Sequence, residues 1–335
     1  MPVGPEPSEP TAPTVVSAAA ATAAPDIAYR RKPEWLRTRP AASEEFGALR
    51  RLMRAKALTT VCEEARCPNI HECWGTHGTA TFMILGSVCT RRCRFCSVAT
   101  GLPTELDLDE PRRVAEAVAE MGLRHVVVTM VNRDDLSDGG AEVCAATVAA
   151  IRAASRCSVE LLTSDFGGNA AAIATVVRGA PEVLSHNVET VRRLTPRVRS
   201  HSRYDRSLRF LETAHRLAPH LLVKSSLMVG LGETAEEVRA TLHDLRSVGV
   251  SIVNIGQYLQ PTAQQLSVVR YWHPQEFAEL RRAARAMGFM HCEAGPFVRS
   301  SYHAGEQLAG LAARHTAAGG GADRETPGKG AGQAG

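Results

Sequence analysis

The chain lacks several features that would place it at a membrane or on nucleic acid. No apolar run approaches the roughly 18 residues that a membrane-spanning helix needs. The first basic residue is Arg30, so the early positive segment of a secretory signal is missing. The formal net charge of +4 over 335 residues is too small to indicate nucleic-acid binding by itself. These absences predict a cytoplasmic protein with neither a membrane nor a nucleic acid among its partners.

The cysteines, nine in all, are unevenly placed. Six of them fall into two groups, the first triplet (C-x4-C-x5-C) and the second triplet (C-x3-C-x2-C). Their members are Cys62, Cys67 and Cys73 in the first, and Cys89, Cys93 and Cys96 in the second. Clustered cysteines in a long cytosolic chain bind metal or do redox work more often than they form disulfides. Cys144, Cys157 and Cys292 stand alone and are expected to be buried free thiols.

Each triplet is one ligand short of an ordinary site. A tetrahedral metal site or a cubane iron–sulfur cluster takes four ligands, and each triplet offers three thiolates. The spacing therefore predicts two clusters, each with one iron left for another ligand. A zinc knuckle around Cys93 and Cys96 is the structural alternative. It is disfavoured because zinc sites prefer paired C-x2-C spacing and four ligands, and no histidine pair has metal-binding spacing.

From residue 79 onward, apolar runs alternate with amphipathic segments. The apolar runs are 81–85, 125–131, 159–163, 183–185, 222–229 and 252–255. The helical patterns cover 111–121, 141–154, 170–178, 205–217, 234–248, 274–287 and 304–313, with a short apolar run at 289–292. Gly122 and Gly249 stand just past helices, where a left-handed cap is expected. The βα repeats predict an α/β fold, a partial (β/α)6 TIM-like barrel covered by N-terminal and C-terminal extensions.

This pattern divides the chain into five segments. The tails at 1–28 and 315–335 are Pro/Ala and Ala/Gly sequences that cannot bury enough apolar surface, so they are expected to be disordered. The N-terminal extension with the first triplet covers 29–78, the barrel 79–290 and the C-terminal extension 291–314. Because loops after parallel strands meet at one rim, the second triplet and the polar residues that follow later strands are expected to share a site.

The second triplet, with Phe95 before its last cysteine, resembles the radical S-adenosylmethionine superfamily. The resemblance implies a [4Fe-4S] cluster on these three cysteines. Its open iron would chelate the methionyl amino and carboxylate groups of S-adenosylmethionine (SAM). One electron then cleaves the sulfonium and releases a 5′-deoxyadenosyl radical.

Further motifs resemble the lipoyl synthases over roughly residues 30–305. They are RKPEW at 31–35, CEEARCPN at 62–69, GTATFMILG at 78–86, CTRRC at 89–93, NRDDL at 132–136, DGG at 138–140, HN at 186–187, KS at 224–225, MVGLGET at 228–234, GQYLQP at 256–261 and GPFVRSSYH at 295–303. One departure is TSDF at 163–166, where the family usually has a proline before the Asp-Phe pair.

The resemblance implies radical insertion of two sulfur atoms at carbons 6 and 8 of a protein-bound octanoyl group. It implies two [4Fe-4S] clusters per chain, of which the auxiliary cluster on the first triplet donates the sulfur. A serine oxygen from residues 299–302 completes that cluster. Ser301 is the predicted ligand, with Ser300 as the other candidate. The alternative is that both serines simply cap the last helix.

The resemblance also suggests contacts with SAM on the rim. The candidate residues are Gly139, Gly140, Asn187, Glu189, Gly230 and Gly232. Asn187 and Glu189 are assigned to the ribose hydroxyls, and the first glycine pair to the methionyl carboxylate. No side chain beyond the cluster ligands is predicted to be catalytic. Asp134, Asp135 and Asp138 lack calcium-loop spacing and are expected to be solvated turn residues or to form hydrogen bonds at the barrel rim.

The implied partners are octanoylated lipoyl-carrier domains of 2-oxoacid dehydrogenase complexes, the glycine cleavage H protein, an electron donor such as ferredoxin or flavodoxin, and an iron–sulfur carrier for cluster repair. A basic stretch runs through Arg192, Arg193, Arg197, Arg199, Arg203, Arg206 and Arg209. It is either an ion-paired face or a docking site for an acidic carrier domain, with Arg197 and Arg199 as the residues to test. Two other classes stay open. A biotin synthase or methylthiotransferase would share the second triplet, and a zinc or iron–sulfur module without enzymatic activity would need no barrel.

Overall fold

The computed structural model of the chain describes residues 32–37, 44–64, 67, 69–70 and 81–319. The predicted tail at 1–28, Cys73 and residues 320–335 lie outside these residues. The N-terminal extension is therefore described in part, and the barrel and C-terminal extension almost throughout.

Strands and helices alternate along the described barrel. The strands are β1 Thr59–Thr60, β2 Thr81–Ile84, β3 Val88–Cys89, β4 Ala99–Thr100, β5 His125–Met130, β6 Ser158–Leu162, β7 Val183–Ser185, β8 Leu222–Val229, β9 Ile252–Gln257 and β10 His291–Gly295. The α-helices are α1 Glu44–Ala55, α2 Val61–Glu64, α3 Glu110–Glu120, α4 Ala141–Ala154, α5 Ala170–Arg178, α6 Thr195–Val198, α7 Tyr204–Leu217, α8 Ala235–Ser247, α9 Pro274–Ala286 and α10 Ala304–Gly319. Short 3₁₀ helices lie at Glu34–Leu36, Phe166–Gly168 and Arg192–Leu194.

One sheet of eight strands organises the molecule, in the order β1-β2-β5-β6-β7-β8-β9-β10. Every neighbouring pair from β2 to β10 is parallel, and β1 runs antiparallel to β2. The partial-barrel prediction is confirmed, and so are its six strands. The sheet is larger than predicted by one strand at each edge. β1 is too short to leave a pattern, and the apolar run at 289–292 covers only the beginning of β10.

The central strands are apolar on both faces because helices cover one face and the barrel interior covers the other. In β5, Val126, Val127 and Val128 are all fully buried. Burying a side chain of this kind stabilises the fold by about 1.5–3 kcal/mol. Gly249 has φ +89° after α8, as expected of a left-handed cap, and a Cβ there would lie 2.3 Å from His215 Cδ2. Only glycine therefore allows the chain to turn into β9 at this point.

The isolated cysteines Cys144, Cys157 and Cys292 are buried free thiols, as predicted. Burial raises the pKa of Cys157 and of Cys292 to about 12, so both thiols keep their protons near pH 7. No helix in the described part of the chain is long and apolar enough to cross a membrane.

A buried ion pair lies in the barrel interior, toward the amino ends of the strands. Glu160 Oε2 lies 2.8 Å from Lys224 Nζ, with each side chain 1% exposed. Ser185 donates to the other carboxylate oxygen at 2.8 Å. Removing one partner would leave a buried charge unpaired, at a cost of about 3–5 kcal/mol. The pair therefore links β6, β7 and β8 beneath the rim.

The last helix, α10, packs against the interior side of the sheet. Leu311 packs with Val183 and Ile252. Gly305 lies so close to His125 that a Cβ there would be 3.1 Å from the histidine Cβ. The helix extends beyond the predicted 304–313 to Gly319, because a helix that is already nucleated elongates readily, so the expectation of disorder is wrong for residues 315–319. The C-terminal extension thus covers the barrel opening.

Candidate functional site

The second triplet lies in the loop between β2 and α3, at the carboxyl end of the sheet. Arg94 donates its N–H to Val198 O at 2.9 Å, and its own carbonyl accepts from Leu266 N–H at 2.9 Å. Gln265 Nε2 donates to Cys96 O at 3.1 Å. The three thiols are therefore presented on a loop that two other rim segments hold in place.

Hydrogen-bond donors surround the sulfur of Cys89. The backbone N–H of Asn132 lies 3.3 Å from this sulfur, that of Arg91 3.5 Å, and Asn132 Nδ2 3.7 Å. Such bonds stabilise a thiolate bound to iron and tune a cluster. Burial raises the pKa of Cys96 to about 12 and also raises the pKa of Cys93, so metal binding must displace protons from both. The donor chemistry fits a cluster ligand set.

Within the described residues, no three His, Cys, Asp or Glu side chains form a group that could hold a single metal ion. A cubane does not require that convergence, because each thiolate binds a different iron. Three thiols on one loop, with N–H groups around Cys89, meet the need of a cluster.

A cavity of about 310 Å³ opens beside the second triplet at the carboxyl end of the barrel. Several buried polar atoms on its wall have no hydrogen-bond partner among the described residues. They are Asn132 Oδ1, Thr163 Oγ1, Asn187 Oδ1 and Arg199 Nε. Buried polar atoms normally find partners, so this set indicates a polar ligand. The hydroxyl, amino and carboxylate groups of SAM match its mixture of acceptors and donors.

Glu189 and Arg199 bring opposite charges to the cavity wall. Arg199 is buried, and its Nη1 donates to Asn187 O at 3.0 Å. Glu189 has φ +66°, and its backbone is clamped by bonds to Ser226 O at 3.0 Å and from Met228 N–H at 2.9 Å. Such strain costs about 1–3 kcal/mol and is kept where it aims a functional side chain. Burial raises the pKa of the Glu189 carboxyl, and the charge of Arg199 opposes the rise.

A chain of hydrogen bonds links the Arg199 guanidinium to Ser207 and His186. Its Nη1 donates to Ser207 Oγ at 3.3 Å, which lies 2.8 Å from His186 Nε2. His186 Nδ1 lies 2.9 Å from Thr163 O. Because a carbonyl only accepts, Nδ1 carries the proton and Nε2 accepts from the serine. Burial lowers the pKa of His186 to about 4, so the ring is neutral near pH 7.

The predicted SAM contacts divide into two groups. Asn187 and Glu189 line the cavity, whereas the lining does not include Gly139, Gly140, Gly230 and Gly232. Close packing accounts for two of these glycines. A Cβ on Gly140 would lie 2.4 Å from Leu85 Cδ1, and one on Gly230 would lie 2.1 Å from Gln257 Nε2. Contact between the four glycines and SAM stays a prediction.

Arg91, inside the loop of the second triplet, is buried and ion-paired to two aspartates. It lies 2.6 Å from Asp134 Oδ1 and 2.7 Å from Asp165 Oδ1. Arg206 binds the other oxygen of Asp165 at 2.7 Å. Burial alone would raise the pKa of Asp165, but the neighbouring His186, Arg91 and Arg206 side chains outweigh it and hold the pKa below its ordinary value. The expectation that Asp134 bonds within the rim is confirmed.

The first triplet is described at two of its members. Cys62 is buried in α2, and its carbonyl accepts the N–H of Cys67 at 3.0 Å. Cys73 lies outside the described residues. Burial lowers the pKa of Arg299, and the nearby Cys67 opposes that shift. Cys67 therefore lies close to the C-terminal segment 299–302.

Two side-chain bonds tie the first triplet to the rest of the site. Ser97 Oγ, next to the second triplet, donates to Glu64 O at 2.6 Å. Asn69 Nδ2 donates to Phe297 O at 2.7 Å. The first triplet is thus connected both to the second triplet and to the C-terminal extension.

Strand β9 carries the C-terminal segment. Asn254 is fully buried, and its Nδ2 donates to Arg299 O at 2.9 Å and to Ser300 O at 3.0 Å. A Cβ on Gly256 would lie 2.0 Å from Val298 O. The cavity wall includes both serines of the motif, Ser300 and Ser301. Sequence analysis missed the role of Asn254, although a polar residue inside the apolar run 252–255 was an available signal.

The basic stretch is in large part an ion-paired face. Arg192 pairs with Asp205, and Arg193 lies 2.7 Å from Glu237. Arg199 is buried at the cavity, so the docking role considered for it is wrong. Bonds from its Nη1 to Asn187 O and Ser207 Oγ hold this side chain inside.

The chain is similar to a protein-family model, to curated proteins and to solved structures. The family model of the radical SAM superfamily matches residues 83–245. A protein of Shouchella clausii (strain KSM-K16) named lipoyl synthase is 58% identical over 281 residues, 84% of this chain and 91% of its own length. A lipoyl synthase of Geobacillus sp. (strain WCH70) is 59% identical over 279 residues, 83% of this chain and 94% of its own. Among solved structures, methylornithine synthase (PylB) overlaps 76% of this chain and 79% of its own at a TM-score of 0.48 and 12% identity, a distance that carries no functional argument.

Proposed function

The chain belongs to the lipoyl synthase family, and we propose that it inserts sulfur at carbons 6 and 8 of an octanoyl group held on a lysine of a lipoyl-carrier domain. The observation that carries this proposal is the meeting of distant segments at one cavity. The second triplet, Asn187, Glu189 and both serines of the C-terminal extension line its wall. Asn69 and Ser97 tie the first triplet to the same place.

The C–H bonds at those carbons are unactivated, and no side-chain acid or base can remove such a hydrogen. A [4Fe-4S] cluster on the second triplet, together with SAM, supplies the radical chemistry when bound. The residues of this chain bind and orient the cosubstrate and keep water out. Asn187 and Glu189 accept from its ribose hydroxyls, and Thr163 offers a further polar contact. Contacts from the four rim glycines remain part of the proposal.

A second [4Fe-4S] cluster on Cys62, Cys67, Cys73 and Ser301 is the proposed sulfur donor. A serine oxygen is a harder and weaker ligand for iron than a thiolate, so it leaves more easily when the cluster is taken apart. Support comes from Ser301 on the cavity wall and from the bond of 2.7 Å that joins Asn69, two positions after Cys67, to Phe297 O. Because the cluster is consumed, an iron–sulfur carrier has to rebuild it after each product.

The proposed macromolecular substrates are octanoylated lipoyl-carrier domains of 2-oxoacid dehydrogenase complexes and the glycine cleavage H protein. An electron donor of the ferredoxin or flavodoxin type supplies one electron for each SAM, and two SAM molecules are used per product. We infer a cytoplasmic location, because thiols reserved for clusters persist in a reducing compartment.

Anaerobic reconstitution followed by mass spectrometry of an octanoylated carrier peptide tests the reaction. We expect a mass gain corresponding to the dithiolane and about eight irons per chain, since each cubane holds four. An unchanged peptide in the presence of two intact clusters would refute the reaction. Bound zinc in place of iron would favour the metal-binding module, and sulfur on a different substrate would favour another radical enzyme.

The sulfur-donor role is tested with Cys67→Ala, matched against Cys157→Ala at an isolated buried thiol. Reductive SAM cleavage should continue in both variants, because the second triplet is intact. Lipoyl formation should be lost only in Cys67→Ala. Full lipoyl formation by that variant would contradict the role assigned to the first triplet.

A further inference from the structure

The loop of the second triplet has an outer side as well as a cavity side. A groove on the outer side, here called the outer groove, is lined by residues 92–94 and 96–100 with Ser200, Gln264 and Gln265. It shares Cys93, Cys96, Ser97, Val98 and Thr100 of the loop with the cavity, but none of the residues of the eight-stranded sheet that line the cavity. The loop therefore stands between the cosubstrate cavity and the outer groove.

Two exposed arginines, Arg92 and Arg94, line the outer groove, and a third, Arg197, directly precedes Val198. Ser200 Oγ donates to Arg92 O at 3.2 Å, and Arg94 N–H donates to Val198 O at 2.9 Å. These bonds bring residues 92–94 beside residues 197–200. Arg92, Arg94 and Arg197 are all exposed, and within the described part of the chain none of them has an ion pair. Unpaired cations gathered on one surface create a positive potential that attracts an acidic partner.

We propose that the outer groove docks an acidic one-electron carrier protein, with an iron–sulfur or flavin centre, that reduces the cluster held by the second triplet. This inference rests on the proposed function. One electron leaves the reduced centre of the carrier and enters the cluster, so the carrier is oxidised by one electron, the cluster is reduced by one, and no atom is transferred. Cys93 and Cys96 reach the groove, so a carrier seated there contacts the ligand loop without blocking the cavity.

A lipoyl-carrier domain, also acidic, does not suit this position. Its octanoyl chain has to enter the cavity, and the loop lies between the groove and the cavity. A carrier domain on the outer groove would present its lysine to the wrong side. An electron donor meets no such obstacle, because only the electron crosses the loop.

The test compares Arg92→Glu/Arg94→Glu with a matched double reversal, Arg209→Glu/Arg216→Glu, at exposed positions on α7 outside the groove lining. Stopped-flow absorbance follows reduction of the cluster in the reconstituted protein at low salt, first by flavodoxin hydroquinone and then by dithionite. Flavodoxin should reduce the groove variant at least about 10-fold more slowly than the wild type, whereas the control should match the wild type. Added salt should slow the wild type toward the groove variant. Dithionite should reduce all three proteins equally.

Equal flavodoxin rates in the groove variant and the control would overturn the docking site. The proposed function is judged separately by lipoyl formation with dithionite. If the groove variant, supplied with dithionite, fails on a whole carrier domain but not on an octanoylated peptide, the domain docks there and the inference is wrong. If dithionite reduction itself is impaired, Arg197→Glu, which lies outside the loop, replaces the double variant. Arg197→Glu must then be reduced more slowly than the wild type by flavodoxin but equally fast by dithionite. A wild-type rate of reduction by flavodoxin would overturn the inference.

Discussion

Asn69 and Phe297 are joined by a hydrogen bond of 2.7 Å, from side-chain Nδ2 to backbone carbonyl, although 228 positions separate them. The bond holds the first triplet against the C-terminal extension that carries Ser301. Ser97 holds the same region against the second triplet through Glu64 O. Residues next to the described part of the first triplet therefore contact both the second triplet's loop and the C-terminal extension.

Ser301→Ala should abolish lipoyl formation while reductive SAM cleavage continues, because the second triplet is untouched. Ser300→Ala is the matched control on the same cavity wall and should retain product formation. Mass spectrometry of the carrier peptide and quantification of 5′-deoxyadenosine measure the two effects. Loss of product in Ser300→Ala alone would transfer the ligand role to that residue.

Asn254→Asp should loosen residues 299–302. The change replaces an amide donor with a carboxylate that faces two carbonyl oxygens. These acceptors then lack a donor, which destabilises the folded protein by about 1–3 kcal/mol or more. We expect a chelator to remove iron from the first-triplet cluster several-fold faster, with unchanged affinity for SAM. Asn169→Asp makes the same chemical change at the N-cap of α5, where aspartate serves equally well, and should behave as wild type. Equal iron loss from both variants would remove the positioning role of Asn254.

Gly256→Ala should lower the melting temperature by several degrees and weaken lipoyl formation. Its Cβ would lie 2.0 Å from Val298 O, so the C-terminal segment must shift away from β9. Gly310→Ala, on α10, is the control, because a Cβ there meets nothing within 4 Å and alanine favours the helix. A melting temperature unchanged by Gly256→Ala would show that the segment is not held tightly.

Glu189→Gln keeps the shape of the side chain and removes its charge. Hydrogen bonds to a charged group are worth about 1.5–3 kcal/mol, so affinity for SAM should fall about 10-fold or more. Isothermal titration calorimetry on the reconstituted protein measures this, with exposed Glu212→Gln on α7 as the control. Unchanged affinity in Glu189→Gln would remove this residue from the SAM site.

His186 should make the protein less stable as the pH falls. Its pKa is lowered from 6.5 to about 4 by burial, so below about pH 6.5 the unfolded chain takes up a proton that the folded chain does not. Stability that is complete above this range is lost as the pH falls toward 4, by about 1 kcal/mol between pH 7 and pH 5.5. Anaerobic thermal melts should show a flatter pH dependence in His186→Gln than in His220→Gln, an exposed control. Parallel pH profiles in the two variants would exclude His186 as the source.

The barrel elements were predictable because their signals are local. The predicted helices at 141–154 and 170–178 match α4 and α5 residue for residue. Asn169 caps α5 by accepting from the N–H groups of Ala171 and Ala172, which is a signal within four residues of sequence. Edge strand β1 left no such signal, because two residues cannot show an alternating pattern.

The roles of glycines and arginines were harder to predict, because a glycine can contact a ligand or allow close packing, and an arginine can be exposed or buried. Gly140 and Gly230 are predicted SAM contacts, but close packing by itself also requires glycine there, because a Cβ would meet Leu85 or Gln257. Arg197 and Arg199 are two positions apart, yet the first is exposed and the second is buried at the cavity. Bonds from Arg199 Nη1 to Asn187 O and Ser207 Oγ hold this side chain inside, and these contacts form only in the folded chain.

The thiol sets, the barrel repeats and the motifs of the lipoyl synthase family can be found from the sequence alone, because each depends on spacing along the chain. The folded chain is needed to see that Asn254 and Gly256 hold the C-terminal segment on β9, that Asn69 reaches Phe297, and that the loop of the second triplet has two accessible sides. These relationships join residues that the chain keeps far apart. Their geometry exists only after parallel strands have brought their carboxyl ends to one rim.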